Sequence, residues 1–270
     1  MMRGQRTERL VRLASKFMLC PSKLVSLTQL ANEFNVSKTV ISDDVKVINS
    51  AMNAEGFGQM QVERGRSGGA RFIPLCTKEY KTEILSEMAK ELTNPDRNLP
   101  GGLIYYSDMI FNPERALPLG YAMASMFVDR APDVVMTSEV KGIPIAMFAA
   151  YALGVPLAVC RFRNRPSDGA AVAVHYPTGN GDVRTMYMGT RLLTTGSRVL
   201  IVDDFMRGGS TAAGMLLMAK QFRAEVVGVG VFIASQEPKK KAVPEYYSLL
   251  TLKQDNDNAS LTVTDNKFKK

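Results

Sequence analysis

The stretch VLIVDDFMRGGST, Val199 to Thr211, joins four apolar residues to two adjacent acids and a loop of glycine and hydroxyl residues. The apolar run fits a buried parallel strand, and the apolar-periodic segment after Ser210 fits a helix. The acids and glycines therefore fall at the carboxyl end of a strand and the start of a helix, where open α/β sheets bind ligands. Asp203 and Asp204 offer a pair of acceptors suited to two neighbouring sugar hydroxyls, with a magnesium ion able to assist. Arg207, Gly208, Gly209, Ser210 and Thr211 add unhindered backbone amides, two hydroxyls and a helix N-terminus, which together favour a phosphate. No G-x-x-x-x-G-K-[ST] stretch occurs, which disfavours a P-loop nucleotidase.

A sugar diol beside a phosphate points to ribose 5-phosphate, and the order of apolar strand, paired acids, Gly-Gly and Ser-Thr resembles the signature of type I phosphoribosyltransferases. A second stretch, DVVMTSEVKGIP (Asp133 to Pro144), places Lys141 and Gly142 between a buried strand and another helix. It resembles the pyrophosphate loop of the same family, in which Thr137, Ser138, Lys141, Gly142 and local amides would hold the diphosphate of phosphoribosyl pyrophosphate. The segment RFRNRPSDGAAVAVHY (Arg161 to Tyr176) lies where that family has a mobile loop. Its Arg161, Arg163 and Arg165 either add charge to a diphosphate site or form a solvated basic loop. His175, the single histidine, alternates with apolar residues and reads as structural; no catalytic residue and no protein metal site are assigned.

These motifs need a scaffold, and the pattern from Leu103 onward supplies one. Strand-like runs fall at 103–106, 133–137, 155–161, 170–176, 183–188, 199–203 and 225–233, with helical segments near 114–130, 144–153 and 210–223. Such alternation indicates an α/β domain with a mainly parallel central sheet. At 270 residues and 46% hydrophobic content, the chain holds one large domain or two unequal ones. No apolar run is long enough to span a membrane, and no signal-peptide core follows the basic start MMRGQRTERL, so a cytoplasmic location is expected. Cys20, Cys76 and Cys160 are too few and scattered for a disulfide framework or a zinc site, and all three read as buried thiols.

Charge separates the N-terminal quarter from the rest. Residues 1–74 carry 11 Lys and Arg against 6 Asp and Glu, a net of +5, whereas the other 196 residues carry a net of +3. Helical spacing predicts one helix between Arg6 and Met18, a second starting at Ser26, and a third capped by Ser37 whose inner face is Ile41, Val45, Ile48 and Met52. Ser37, Lys38, Thr39, Ser42 and Lys46 line the outward side of that third helix. In FGQMQVERGRSGGARFIP, Phe57 to Pro74, glycines at 65, 68 and 69 fit a hairpin tip surrounded by Arg64, Arg66 and Arg71. Three helices followed by a basic hairpin resemble a winged helix-turn-helix, its third helix suited to the major groove of double-stranded DNA and its wing to the phosphate backbone or minor groove. A winged-helix module used for protein contact is the bland alternative.

The organisation is thus a winged helix-turn-helix domain at 1–74 and a type I phosphoribosyltransferase-like, parallel-sheet α/β domain at 75–270. That order, together with SGGARFIP, NPDRNLPGG, DVVMTSEVKGIP, VLIVDDFMRGGST and YYSLLTL, resembles the purine-operon regulators (purine repressors) of Gram-positive bacteria essentially end to end. The resemblance implies a homodimeric transcription regulator of purine biosynthesis and transport genes. It would bind a DNA operator and sense phosphoribosyl pyrophosphate, or a related diphosphate nucleotide, through a non-catalytic domain that requires no other cofactor. The alternatives are an active purine phosphoribosyltransferase carrying a DNA-binding module and, in a third class, an RNA-binding regulator.

Overall fold

The computed structural model describes residues 3–65, 68–179, 181–255 and 258–265. The basic N-terminal part contains α1 (Arg3–Leu19), β1 (Val25–Ser26), α2 (Leu27–Glu33), α3 (Lys38–Glu55), β2 (Gln59–Val62) and β3 (Gly69–Ile73). Ser26 and Ser37 accept hydrogen bonds from the amides of Gln29 and Val40, so each helix start is satisfied by the serine before it. Gly56 ends α3 at a φ of 73°, a conformation that favours glycine. Leu13, Phe17, Leu30, Ile41, Val45, Ile48 and Phe72 form the buried centre, against a sheet ordered β1-β3-β2. The result is a winged helix.

Two details of the hairpin differ from expectation. Gly69 is not at the tip: it pairs with Ser26, where a Cβ would lie 2.4 Å from the Val25 carbonyl oxygen. Close approach of β1, not turn geometry, requires glycine there. Arg71 lies on β3 and pairs with Glu63, so it faces its own hairpin partner. Arg66 lies outside the described residues.

The larger part begins with α4 (Lys78–Leu92), the short pair β4 (Asn98–Leu99) and β5 (Leu103–Ile104), α5 (Ser107–Ile110) and α6 (Pro113–Ser125). It continues through β6 (Val134–Ser138), α7 (Gly142–Leu153), β7 (Leu157–Cys160), β8 (Ala171–Pro177) and β9 (Val183–Gly189). It ends with β10 (Arg198–Met206), α8 (Ser210–Gln221), β11 (Glu225–Ser235), β12 (Tyr247–Asp255) and β13 (Asn258–Val263). Six strands form one sheet in the order β13-β12-β11-β10-β6-β7, and only the β12–β13 pair is antiparallel. Along β10, Leu200 and Val202 face α6 and α7, whereas Val199 and Ile201 face α8. Burial on both faces explains the unbroken apolar run.

Strands β8 and β9 leave this sheet as an antiparallel hairpin, with Tyr187 of β9 bridged to Arg161 just past the end of β7. Val174 and Tyr176 are buried against the α8 side while their neighbours are exposed, the alternation of a strand covered on one face. His175 is one of the exposed neighbours, its Nδ1 2.9 Å from Thr185 Oγ1. Strands β12 and β13 follow β11 without an intervening helix, which is why the strand–helix rhythm of the sequence did not reach them. The cysteine expectation fails in part: Cys160 is buried, Cys76 is half-buried and Cys20 is exposed. Cys20 follows directly on the end of α1, where the chain turns away from the helix's apolar face.

Inside the winged helix one ion pair is fully enclosed. Asp44 on α3 has no exposed surface and takes Arg9 Nε at 2.6 Å and Arg6 Nε at 3.1 Å, both from α1. Arg9 is itself only 5% exposed, so deleting the acid strands a buried cation. Asp44→Ala is expected to lower unfolding free energy by about 3–5 kcal/mol. Urea unfolding followed by circular dichroism checks this; a loss under about 1 kcal/mol, the size of an exposed pair, would refute it.

Candidate functional site

Strand order fixes where a ligand can enter. From β10 the chain crosses through α8 to β11 on one side, and from β6 it crosses through α7 to β7 on the other. Helices α8 and α7 pack on opposite faces of the sheet. The connections therefore diverge between β10 and β6, and the crevice at the carboxyl ends of these strands is the topological switch point. Pairing of β10 with β6 stops at Ile201, while β10 continues beside β11 to Met206. The two residues that follow this opening are Val202 and Asp203, and both helix N-termini are presented to it.

Asp203 is 4% exposed and Asp204 half-buried. Burial, and then the neighbouring Asp204 carboxylate, push the Asp203 carboxyl well above the ordinary carboxylate range. Its Oδ1 accepts the Asp204 amide at 3.1 Å and faces Ser138 Oγ at 3.5 Å. Thr137, also fully buried, has a hydroxyl with no hydrogen-bond partner among the described residues. Gly142 closes the gap between the two loops: a Cβ would stand 2.4 Å from Thr137 Oγ1 and 2.9 Å from Asp203 Oδ1. The structure thus brings Thr137, Ser138, Gly142 and Asp203 into one cluster.

Beyond the acids the chain bends round a cavity of about 200 Å³ that runs from Asp203 to Ala212 and includes Arg207, Gly208, Gly209, Ser210 and Thr211. Gly209 caps α8 at a φ of 83° with no side-chain capping bond, so the first amides of the helix remain available to an anion. Ala242 N donates to Gly208 O at 2.8 Å, and Lys241 Nζ donates to the carbonyls of Arg207 and Ser235, bracing the loop from behind. The Arg207 side chain is exposed.

Sequence reasoning missed Tyr106. Its hydroxyl donates to Asp204 Oδ2 at 2.5 Å, its ring stacks on Phe205, and Lys141 Nζ sits 4.5 Å from the ring centroid. One aromatic side chain thereby ties Lys141 to Asp204, with its own hydroxyl pushed up by burial and by that carboxylate. It lies nearly a hundred residues before the acids, just after the NPDRNLPGG turn, and nothing local marks it. Arg161 is engaged by Glu139 at 3.6 Å and Asp168 at 2.8 Å. With Arg163 and Arg165 it borders a separate cavity of about 270 Å³ beside β7 and β9.

A cation would find only two carboxylates here, and among the described residues no group of three or more His, Cys, Asp or Glu side chains gathers at one point. The donor set fits a magnesium ion that takes most of its oxygens from ligand and water.

On the winged helix, Lys38, Thr39 and Lys46 are exposed on α3 and Arg64 on the hairpin, whereas Ser42 is half-buried. Ser37 is occupied by its capping bond, and Lys46 Nζ donates to Asp43 at 2.8 Å. Val47, 45% exposed on the same helix, is an outward apolar side chain that charge-based reasoning passed over.

Because Asp203 holds its proton more tightly folded than unfolded, stability falls as pH rises from the ordinary carboxylate pKa of 3.8 through the raised one. Above that window the full penalty persists. Asp203→Asn is therefore expected to raise the Tm of ligand-free protein at neutral pH, with the gain shrinking as pH is lowered. Thermal scans at several pH values check this, and a lower Tm at neutral pH would contradict it.

Residues 5–74 match the family described as bacterial purine repressor, N-terminal, and residues 115–266 match the phosphoribosyl transferase domain. The chain is 36% identical over 256 residues to the purine biosynthesis transcriptional repressor PurR of Bacillus subtilis, covering 94% of this chain and 90% of that protein. It is 34% identical over 261 residues to the purine biosynthesis transcriptional activator PurR of Lactococcus lactis subsp. lactis, covering 96% of each. The crystal structure of adenine phosphoribosyltransferase from Rhodothermus marinus aligns with a TM-score of 0.52 at 25% identity, covering 63% of this chain and 99% of that one. With both domains matched and such similarity along nearly its whole length, the chain belongs to the PurR family of purine biosynthesis transcriptional regulators.

Proposed function

We propose that this protein is a DNA-binding regulator of purine biosynthesis and transport genes whose C-terminal domain binds phosphoribosyl pyrophosphate as an effector and does not turn it over. The observation that carries the ligand is the crevice: two adjacent acids, one buried, stand between two helix N-termini. Asp203 and Asp204 hold the ribose hydroxyls. Gly208, Gly209, Ser210 and Thr211 hold the 5-phosphate, with Arg207 at the rim. Thr137, Ser138, Lys141 and Gly142 hold the diphosphate, and magnesium bound to that diphosphate offsets its charge. Diphosphate-bearing nucleotides compete for the same groups.

The winged helix reads duplex DNA through Lys38, Thr39, Ser42 and Lys46 in the major groove and through Arg64 and Arg66 on the wing, with Arg71 reached only by giving up Glu63. Ser37 contributes by fixing the start of α3. The protein acts as a homodimer, matching two half-sites, in the cytoplasm. Among the described residues, no helix is long and apolar enough to cross a membrane. The relatives are named repressor in one organism and activator in another, which fits a regulator whose sign is set by where its operator lies. The phosphoribosyltransferase domain makes catalysis of purine nucleotide synthesis the second reading.

Titration with magnesium phosphoribosyl pyrophosphate separates the two readings. Duplex DNA from upstream of the organism's purine genes and labelled purine bases report on DNA affinity and nucleotide formation. The expected result is a shift in DNA affinity without nucleotide formation; turnover on the order of 1 per second would make the protein an enzyme. Asp204→Ala is expected to weaken ligand binding by roughly 1.5–3 kcal/mol, seen by calorimetry, while DNA affinity without ligand stays near wild type. In the DNA module, Lys38→Ala is expected to reduce the slope of log affinity against log salt by about one unit. An unchanged slope removes Lys38 from the phosphate contacts.

A further inference from the structure

Helix α7 touches both functional regions. Its first residue, Gly142, is wedged against Thr137 and Asp203 in the crevice. At the far end of this 12-residue helix, which is about 18 Å long, its last turn meets the winged helix. There the Ala152 carbonyl, one of the helix's terminal acceptors, takes a hydrogen bond from Ser22 Oγ at 2.7 Å. The Tyr151 hydroxyl donates to the Met18 carbonyl at the end of α1. Gly154, the cap that follows, lies so close that a Cβ would stand 2.7 Å from the Pro21 carbonyl oxygen.

On the reader side the same contact reaches both DNA-facing elements. Ser22, held at a φ of 61°, donates its amide to Phe72 O at 2.7 Å on β3, the return strand of the wing. Phe57, just beyond the cap of α3, packs into the apolar cluster of Tyr121, Ala124 and Ala152, and its ring meets Phe72 edge-on at 6.3 Å. The Tyr121 and Tyr151 rings stack at 6.4 Å, locking α6 to α7 at that end. Along its length α7 is fixed to α6, where Gly120 leaves no room for a Cβ beside Phe148. A helix packed this closely shifts as a unit.

We propose that α7 is the coupling element of the regulator, with Ser22 and Tyr151 as the positioning residues that pass a shift at the Gly142 end to the wing and the end of α3. This deepens the function proposed above and rests on it for the identity of the effector. Each end of α7 is attached to a different site, and a displacement that changes the packing at Gly142 is carried to Ser22 and Phe57. Reciprocity then requires that DNA binding alter the crevice by the same coupling. Neither Ser22 nor Tyr151 touches the crevice or the outward face of α3, so neither is needed for ligand or DNA contact as such.

The test is a mutant cycle in the full-length chain, read by amide hydrogen exchange of residues 20–24 and 69–73. Gly142→Ala drives a methyl group into Thr137 and Asp203 and displaces the start of α7 without any ligand. Exchange in both segments is expected to change by roughly 5-fold or more, a coupling of ordinary allosteric size. In the Ser22→Ala, Tyr151→Phe background the same Gly142→Ala change is expected to leave those segments unmoved. Equal responses in both backgrounds, or no response at 20–24 and 69–73 while α7 itself responds, would overturn the proposal. If Gly142→Ala does not fold, Lys141→Ala, which removes the cation from the Tyr106 ring, takes its place in the same cycle. A separate arm adds magnesium phosphoribosyl pyrophosphate to wild type and to the Ser22→Ala, Tyr151→Phe protein. Ligand binding is expected in both, with its effect on DNA affinity lost only in the second. No binding to wild type would refute the effector's identity, while the mutant cycle, which uses no ligand, would still decide whether α7 couples the two ends.

Discussion

The constraint on which the site depends is the burial of Asp203 beside Asp204. A carboxylate so enclosed is costly unless something neutralises it, and the protein supplies only polar neighbours: Ser138 Oγ, the Asp204 amide and, through Asp204, the Tyr106 hydroxyl. No cation is paired with Asp203 among the described ion pairs, and Lys141 lies over the Tyr106 ring instead. The fold accepts this cost because β10 is gripped on both faces by apolar contacts up to Val202. The strand therefore delivers its acids to the crevice whatever they would prefer. A polyol able to donate hydroxyls, or a cation brought with it, relieves a penalty already present in the folded chain.

The same economy of space governs the neighbouring loops. Gly142 is there because Thr137 and Asp203 leave no volume for a methyl group, and its absence of side chain lets the start of α7 close onto the acid. Gly209 is there for a different reason, a backbone conformation at φ 83° that turns the chain from strand into helix. Gly208 meets nothing within 4 Å of a hypothetical Cβ, so its use is openness toward the cavity. Three glycines thus serve close packing, turning and access, and none can stand in for another.

How much of this was legible in sequence follows from how local each cause is. The acids, the glycine loop and the start of α8 sit within a dozen residues of one another, and periodicity alone places them on strand and helix. Tyr106 could not be found that way, because its relation to Asp204 spans 98 positions and is made by the fold. Strands β8 and β9 read correctly as strands but not as a separate hairpin, since pairing partners are decided by which face is covered. Arg71 read as a free basic residue because charge counts do not show that Glu63 lies across the hairpin. Ser37 and Gly69 carry structural duties, a cap and a close strand approach, that mimic the composition of a binding surface.

The geometry also divides the labour between the two ends of the crevice. Helix α8 and its loop pack against β8, β10 and the 241–242 segment and share no buried apolar cluster with the winged helix among the described residues, whereas α7 joins the crevice to it directly. A group bound only at the start of α8 stabilises its own complex without discriminating between positions of α7, and binding that does not discriminate shifts no equilibrium however tight it is. A group that also engages Lys141 and Gly142 adds contacts whose strength depends on where α7 begins. On the proposed reading, the 5-phosphate then supplies affinity, while the ribose at Asp203, which Gly142 abuts, and the diphosphate at Lys141 and Gly142 supply the signal. A phosphate held by the α8 loop alone occupies the crevice as a silent competitor, which follows from attaching the reader to α7 and not to α8.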